Sequence, residues 1–326
     1  MTGAAAGGAP PGRRLGIGTL RDYAISLALV ALVLFLSARA DNFLTVSNLK
    51  NVLEQSAGLG IVAAAGTLVI IAGGFDLSVG AIFAITGVVA AQIAVHGDPV
   101  VGLVAGVLAG AVLGLGNGLL VTVVRINPFI ATLGSAFVIG GLALRITHGD
   151  LITVDFEGPF TKLGSNAIFG LKYSIWIWFL FSLAMGVLLA RTVFGRYVYA
   201  SGGNREAARL SGVPVGLVRS ATYTLSGLAA GLAGVLSASR IGTGQADANN
   251  GVNIEFQAVA AIVVGGTSIW GGEGAIWRTV VGVLLLGVIG NGFTLLSIDP
   301  VYQNIVYGGI ILIAAGIDAR LRRGAP

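Results

Sequence analysis

Ten polar side chains stand within or at the edges of long apolar runs: Asp76, Ser78, Asn117, Asn127, Thr132, Glu255, Gln257, Asn291, Gln303 and Asn304. A charge or amide in hydrocarbon is costly, so such groups face a cavity, a pathway or another helix. The set is a candidate lining for a substrate pathway. Hydrogen bonding from helix to helix is the competing use of the same groups. Asp76 has a further one, capping the run that opens at Val79 with Ser78 in its first turn. Glu54 lies near the interfacial zone and needs no special function there.

Covalent chemistry finds little support. The two histidines, His96 and His148, lie in or near loops, and there is no cysteine, no His-Glu-x-x-His and no Ser/His/Asp cluster. Thiolate catalysis, Cys-ligated metals and a zinc hydrolase are therefore excluded, and an integral-membrane enzyme is disfavoured. A P-loop needs Gly-Lys-Ser/Thr so that a lysine reaches the phosphates. The three lysines, Lys50, Lys162 and Lys172, are none of them preceded by Gly. Any ATP used must be hydrolysed by another polypeptide, and no cofactor is expected on this chain.

The elements that hold these residues follow from composition. Of 326 residues, 55% are hydrophobic and 10% charged, against roughly a quarter charged in soluble proteins. Mean hydropathy is +0.91, and 52 glycines allow helix backbones to approach closely in lipid. Apolar runs predict ten spans, at 23–38, 52–72, 79–95, 100–124, 128–146, 173–190, 215–239, 256–270, 276–296 and 301–317. With a cytoplasmic N-terminus, Arg13, Arg14, Arg21, Arg125, Arg191, Arg196, Arg205, Arg209, Arg219, Arg278, Arg320, Arg322 and Arg323 fall inside. Only Arg39, Lys50, Arg145, Lys162, Lys172 and Arg240 fall outside. That asymmetry obeys the positive-inside bias and puts both termini in the cytoplasm; the net charge of +5 reflects it rather than any affinity for nucleic acid. Ala38-Arg39-Ala40 resembles a signal-peptidase site, but nine further spans need no separate export signal, so the first span is read as uncleaved. The expected organisation is a disordered basic tail at 1–22, one membrane domain at 23–318 and a short tail at 319–326.

Three landmarks recur in order. Asp76-Leu77-Ser78-Val79 before span 3 matches Glu255-Phe256-Gln257-Ala258 at span 8. Gly116-Asn117-Gly118 matches Gly290-Asn291-Gly292, and Asn127-Pro128 matches Asp299-Pro300, at offsets of 179, 174 and 172. Copies five spans apart must run in opposite senses, and inverted repeats mark transporters. The fold class is thus an all-α polytopic membrane protein of about ten transmembrane helices with an inverted repeat, spans 2–5 against spans 7–10. Gly73-Gly74 and Gly265-Gly266 do not fit this offset and read as Gly-rich turns.

The inside loop at 191–214 is the most polar segment on its side. Asn204 there predicts an N-cap for a short helix from Arg205 to Ser211, ended by Gly212 and Pro214. A two-turn helix cannot hold itself together in water and must dock on something. Glu206-Ala207-Ala208-x-x-x-Gly212 resembles the EAA-x-x-x-G loop of permease subunits of ATP-binding-cassette importers. Its surroundings, with residues 73–87, 127–144 and 258–292, resemble the ribose, xylose, arabinose and galactose branch. The resemblance covers most of the chain after span 1. It implies a bacterial inner-membrane permease for a monosaccharide that works as a dimer by alternating access. The implied partners are cytoplasmic ATPase subunits holding ATP and Mg, an extracytoplasmic sugar-binding protein, and a second permease copy or close paralogue. Within this frame Arg205, Glu206, Ala207, Ala208, Arg209 and Gly212 would couple to the ATPase. The outer loop at 147–172, with Asp150, Asp155, Glu157, Lys162 and Lys172, is the candidate docking surface for the receptor. Permeases for branched-chain amino acids or nucleosides and an ion-coupled secondary transporter stand as alternatives.

Overall fold

Helix boundaries follow local chemistry at several ends. Thr45 accepts a hydrogen bond from Asn48 N at the start of α2 (Val46–Ile71). Asp98 and Asn127 do the same for α4 (Pro99–Thr122) and α5 (Pro128–Thr147), each followed by proline at the first helical position. The computed structural model describes residues 17–155, 157–247, 253–299 and 301–323. Within them lie α1 (Ile17–Arg39), α3 (Val79–His96), β1 (Ile152–Thr153), α6 (Pro159–Ser165), β2 (Ala167–Ile168), β3 (Leu171–Lys172) and α7 (Tyr173–Arg191). After these come α8 (Val193–Gly203), α9 (Arg205–Leu210), α10 (Val215–Ile241), β4 (Thr243–Gly244), α11 (Ile254–Val264), α12 (Ile276–Leu295) and α13 (Val301–Arg323). Each of the ten expected spans overlaps an apolar helix. Seven are long enough to cross a membrane, and three have shorter apolar stretches, Ile25–Arg39, Ile254–Val264 and Val301–Ala314.

Three boundaries differ from the sequence reading. Helix α1 begins at Ile17, so part of the expected tail is helical, while the rest of that expectation, at 1–16, lies outside the described residues. At the other end α13 continues to Arg323, through most of the expected C-terminal tail. The third difference matters more. Span 8 was expected as one helix over 256–270, but α11 stops at Val264. Its 11 residues rise about 16 Å, roughly half of a hydrocarbon core about 30 Å thick. Gly266, at φ +80°, breaks the helix, and non-helical chain runs to Ile276. Residues 72–78 form the corresponding break between α2 and α3. Such backbone is tolerated at membrane depth only when protein surrounds it.

Helices α2, α3 and α10 are the most buried, while α4, α5 and α7 show large apolar side chains such as Val112, Phe137 and Leu180 on the outside. The interior holds small residues, among them Ala57, Ala63, Ala64 and Ala65 of α2, all essentially inaccessible. The helix pairings obey the expected repeat. Helix α10 packs on α4 and α3 as α2 packs on α12 and α11; α3 meets α4 and α5 as α11 meets α12 and α13. The end of α4 bonds to the start of α10 through Thr122 and Ser220 at 2.7 Å, and the end of α12 bonds to the start of α2 through Asn291 and Asn48. Arg219, near the start of α10, donates to Gly73 O just past the end of α2 at 3.2 Å, so α2 and α10 run antiparallel and these two seals lie at opposite ends of the bundle.

Gly102, Gly106, Gly110, Gly114 and Gly118 form a buried row along α4. Four-residue spacing keeps them on one face. Gly110 and Gly114 meet Gly227 and Gly231 of α10 so closely that a Cβ on either would strike the carbonyl oxygen of Gly227 or Tyr223, while Gly102 faces Ala90 and Ala94 of α3 and Gly118 faces Ser220. Gly116, in the same helix, has nothing within 4 Å of an added Cβ. Gly110→Leu is therefore expected to destabilise the protein beyond the roughly 1–3 kcal/mol of ordinary overpacking, because the atoms that must yield are backbone. Gly116→Leu should melt like the wild type in detergent. Thermal unfolding followed by size-exclusion chromatography checks both; equal melting of the two variants would refute the seam.

Candidate functional site

The inside loop folds as two helices. Thr192 caps α8, its Oγ1 accepting from Gly195 N at 3.2 Å, and Asn204 caps α9, its Oδ1 accepting from Ala207 N at 3.0 Å. Helix α9 ends at Leu210, with Gly212 at φ +82° and Val213 N returning to Ala208 O at 3.0 Å. The expected short helix is thus present with its expected cap; α8 before it was not anticipated, and its Gly-rich end had given no clear signal. On α9, Arg205, Glu206, Ala207 and Arg209 are exposed, and only Ala208 is buried. Leu210 and Leu217 stand 80% and 74% exposed beside these charges, an apolar pair set among charged groups rather than among lipid-facing side chains.

Helix α8 ties this surface to the interior. Val198 is fully buried, and Tyr199 Oη donates to Gly274 O at 2.8 Å. Gly202 leaves no room for a side chain, because its Cβ would overlap the Ile71 carbonyl oxygen and lie 2.8 Å from Gly272 N. Gly272 N in turn donates to Ile71 O at 2.9 Å. Both helix breaks, 72–78 and 265–275, therefore meet α8 at Gly202, two residues before Asn204. The glycines read as ordinary turns do adopt turn conformations, with Gly73 at φ +73° and Gly266 at φ +80°. Gly73 lies at this junction against Gly202, whereas Gly266 lies beside Arg278 of α12.

The ten polar candidates separate into distinct environments. Asp76, Ser78, Asn117 and Thr132 form one buried cluster. Asp76 Oδ1 accepts from Ser78 N at 3.0 Å and from Ser78 Oγ, Asn117 Nδ2 donates to Ser78 Oγ at 2.7 Å, and Leu77 N donates to Thr132 Oγ1 at 3.1 Å. Asp76 does not cap α3 as expected. Ser78 occupies the N-cap without a capping bond, and Asp76 fastens the non-helical segment before it. Glu255 shares with Asp76 and Ser226 a cavity of only about 20 Å³, enough for about one water. Asn127 is exposed and caps α5. Asn291 pairs reciprocally with Asn48 at 2.7 and 2.9 Å, far from the cluster at Asp76. Gln257 and Gln303 line a polar cavity at the end of the bundle opposite α9, while the neighbouring Asn304 is exposed and outside its lining. Sequence reasoning counted Arg219 as a loop charge and passed over Tyr223; both are buried, and Tyr223 Oη donates to Phe75 O at 3.0 Å. An arginine one turn into an apolar run was the available signal. Among the described residues no group of three His, Cys, Asp or Glu could hold a metal.

Residues 48–315 match the family described as branched-chain amino acid transport system / permease component. The ribose import permease protein of Bacillus subtilis (strain 168) is 41% identical over 305 residues, covering 93% of this chain and 94% of that protein. The ribose import permease protein of Escherichia coli (strain K12) is 38% identical over 296 residues, 90% and 92% of the two chains. The L-arabinose ABC transporter permease protein of Azospirillum brasilense is 39% identical over 296 residues, 90% and 86%. No solved structure is a significant match.

The Ser78–Asn117 bond joins α3 to α4, and helix-to-helix bonds in membranes are worth about 0.6–2 kcal/mol. A double-mutant cycle of Ser78→Ala and Asn117→Ala should give a coupling in that range, whereas Asn304→Leu should leave stability unchanged. Zero coupling would remove the structural role assigned to this pair.

Proposed function

The chain belongs to the permease-component family of these transport systems, and from that membership we propose that it is the membrane subunit of an ATP-binding-cassette importer for a monosaccharide. The family takes its name from branched-chain amino acids, yet relatives at 34–41% identity over about nine-tenths of the chain are named for ribose, arabinose and allose. Those names support a pentose or hexose and give no support to the amino-acid, nucleoside or ion-coupled alternatives.

One observation carries the mechanism: a two-turn helix, almost wholly exposed, is fastened through α8 to both breaks in the membrane helices. Arg205, Glu206, Ala207, Ala208, Arg209 and Gly212 present this helix to a groove of a cytoplasmic ATPase subunit. The small side chain of Ala207 permits close approach, Arg205, Arg209 and Glu206 pair with charges on the partner, and Leu210 and Leu217 add apolar contact. ATP and Mg are bound and hydrolysed on that subunit, since no lysine of this chain follows a glycine. Displacement of α9 reaches residues 72–78 and 265–275 through Gly202, which shares its backbone contacts with Ile71 and Gly272. Repacking of these segments opens the pathway alternately to either side.

At the opposite end, β1 pairs with β4 and β2 with β3, and α6 packs on α10. This edge, with Phe169 91% exposed, is the receptor-docking surface. The charge bias supports a position for it outside the bacterial inner membrane, with α9 and both termini in the cytoplasm. A second permease copy covers part of the apolar exterior and completes the assembly.

Glu206→Lys and Gly212→Leu should abolish sugar uptake while leaving membrane insertion and receptor binding intact. At Gly212 the left-handed backbone adds a penalty of about 1–2 kcal/mol for any other residue. Uptake into cells and co-purification of the ATPase are the measurements; normal uptake in both variants would refute the coupling assignment, and recovery of the chain with no ATPase would refute the importer reading.

A further inference from the structure

The outer wall of the bundle is not closed between α7 and α12. A cleft of about 700 Å³ runs along α7 from Ile175 to Arg191, with the first half of α12 as its second wall. Those residues of α7 rise about 24 Å, most of a hydrocarbon core about 30 Å thick. Phe179, Leu183 and Val187, spaced by four and each about half exposed, line the cleft along one face of α7. Gly186 beside them keeps it open, because an added Cβ there would meet only Ile276 Cβ, at 3.9 Å. Ile276 in turn packs inward, in a buried cluster with Met185 and Leu189 of α7 and Val198 of α8. The end of α7 and the start of α12 are thereby held together at the end of the bundle that carries α8.

The charge in the lining selects the occupant. Apart from Ser182 and Arg191 every lining side chain is apolar or aromatic, and none is acidic. Arg191 is exposed at the α8 end of the cleft. Trp277 stands at the same end, 48% exposed, its ring centroid 6.2 Å from that of Tyr23 on α1. Tryptophan and tyrosine sit at the headgroup level of a membrane, so Arg191 lies where a phosphate would be. Basic pockets between membrane helices at the cytoplasmic face take anionic head groups, and an outward-facing apolar cleft takes hydrocarbon. A second copy suits the cleft less well. A two-fold interface sets a patch against itself and would bring like charges together with no carboxylate in the lining to offset them. We propose that the cleft between α7 and α12 binds one anionic phospholipid, an acyl chain lying along Gly186 and the phosphate on Arg191. Arg191 directly precedes Thr192, whose Oγ1 caps α8, so the head group sits at the joint from which α8 and α9 extend. The lipid thereby bears on the position of the loop helix. This site goes beyond the transport reading and does not depend on which solute the chain moves.

Native mass spectrometry of the full-length protein in detergent, titrated with dioleoylphosphatidylglycerol or with dioleoylphosphatidylcholine, resolves the first lipid bound. The wild type should bind its first phosphatidylglycerol about fivefold more tightly than its first phosphatidylcholine, the preference that one cation near the surface confers. Arg191→Gln should remove the preference and Arg191→Lys should keep it. Arg145→Gln, an exposed charge at the end of α5 outside the cleft, should change nothing. Because Arg191 is exposed, its variants keep the fold. Gly186→Leu, which fills the cleft without striking backbone, should weaken binding of both lipids while leaving the elution profile of the folded protein unchanged. Equal affinity of the wild type for the two lipids, a preference that survives Arg191→Gln, or lipid binding unaltered in folded Gly186→Leu would each overturn the proposal. The chain has no cysteine, so Gly186→Cys carries a single thiol. Efficient disulfide cross-linking of two such chains in membranes would mark the cleft as an interface between copies and would overturn it as well.

Discussion

Backbone that leaves the helix inside a bilayer must find its hydrogen bonds within the protein, because lipid offers none. This chain leaves the helix twice, at 72–78 and at 265–275, and the rest of the architecture answers that requirement. The orphaned groups at the end of α2 are taken by Gly272 N, which meets Ile71 O, and by Arg219, which meets Gly73 O. Tyr223 takes Phe75 O, and Thr132 takes Leu77 N. These partners come from α5, α10 and the second break itself. Neither break can move without disturbing them, and α8 is packed where the two meet.

The inverted repeat places the same helix pairings in both halves, but the halves are not built alike. Helix α4 lies against α10 along a row of glycines, so the two backbones touch and the seam is rigid. Its counterpart, α12 against α2, is looser. There Gly287 approaches a serine side chain, the seam is closed by an amide pair at Asn48 and Asn291, and a polar cavity opens beside it. Close van der Waals contact without side chains favours a fixed interface in lipid, whereas polar side chains beside empty space leave room for a solute.

The loop helix joins these parts. By itself it is too short to be stable in water. Asn204 and Gly212 define its ends, Ala208 seats it, and α8 anchors it through the fully buried Val198. What it exposes is mostly charged, with two leucines among the charges. The same chain segment therefore turns exposed charge outward and, through α8, packs inward on the helix-break junction.

Much of this was legible in the sequence by itself. Apolar runs located a helix at each expected span, and Asn204 marked the start of the loop helix. Hydrophobicity, charge and capping are local properties, and they act over one or two helical turns. Three things were decided only by the tertiary structure. The length of α11 depends on glycines that become a break only because α8 and α12 pack around them. The fates of Asp76, Asn117, Asn291 and Gln303 depend on which neighbour each helix meets, so residues of one chemical type became a helix-to-helix cluster, an end seal and part of a cavity lining. Ser56 and Ser174 carried no signal at all, since a serine in an apolar run reads the same whether or not its buried hydroxyl finds a partner. Composition fixes what a side chain can bond; only the packing of distant helices decides whether anything is there to bond it.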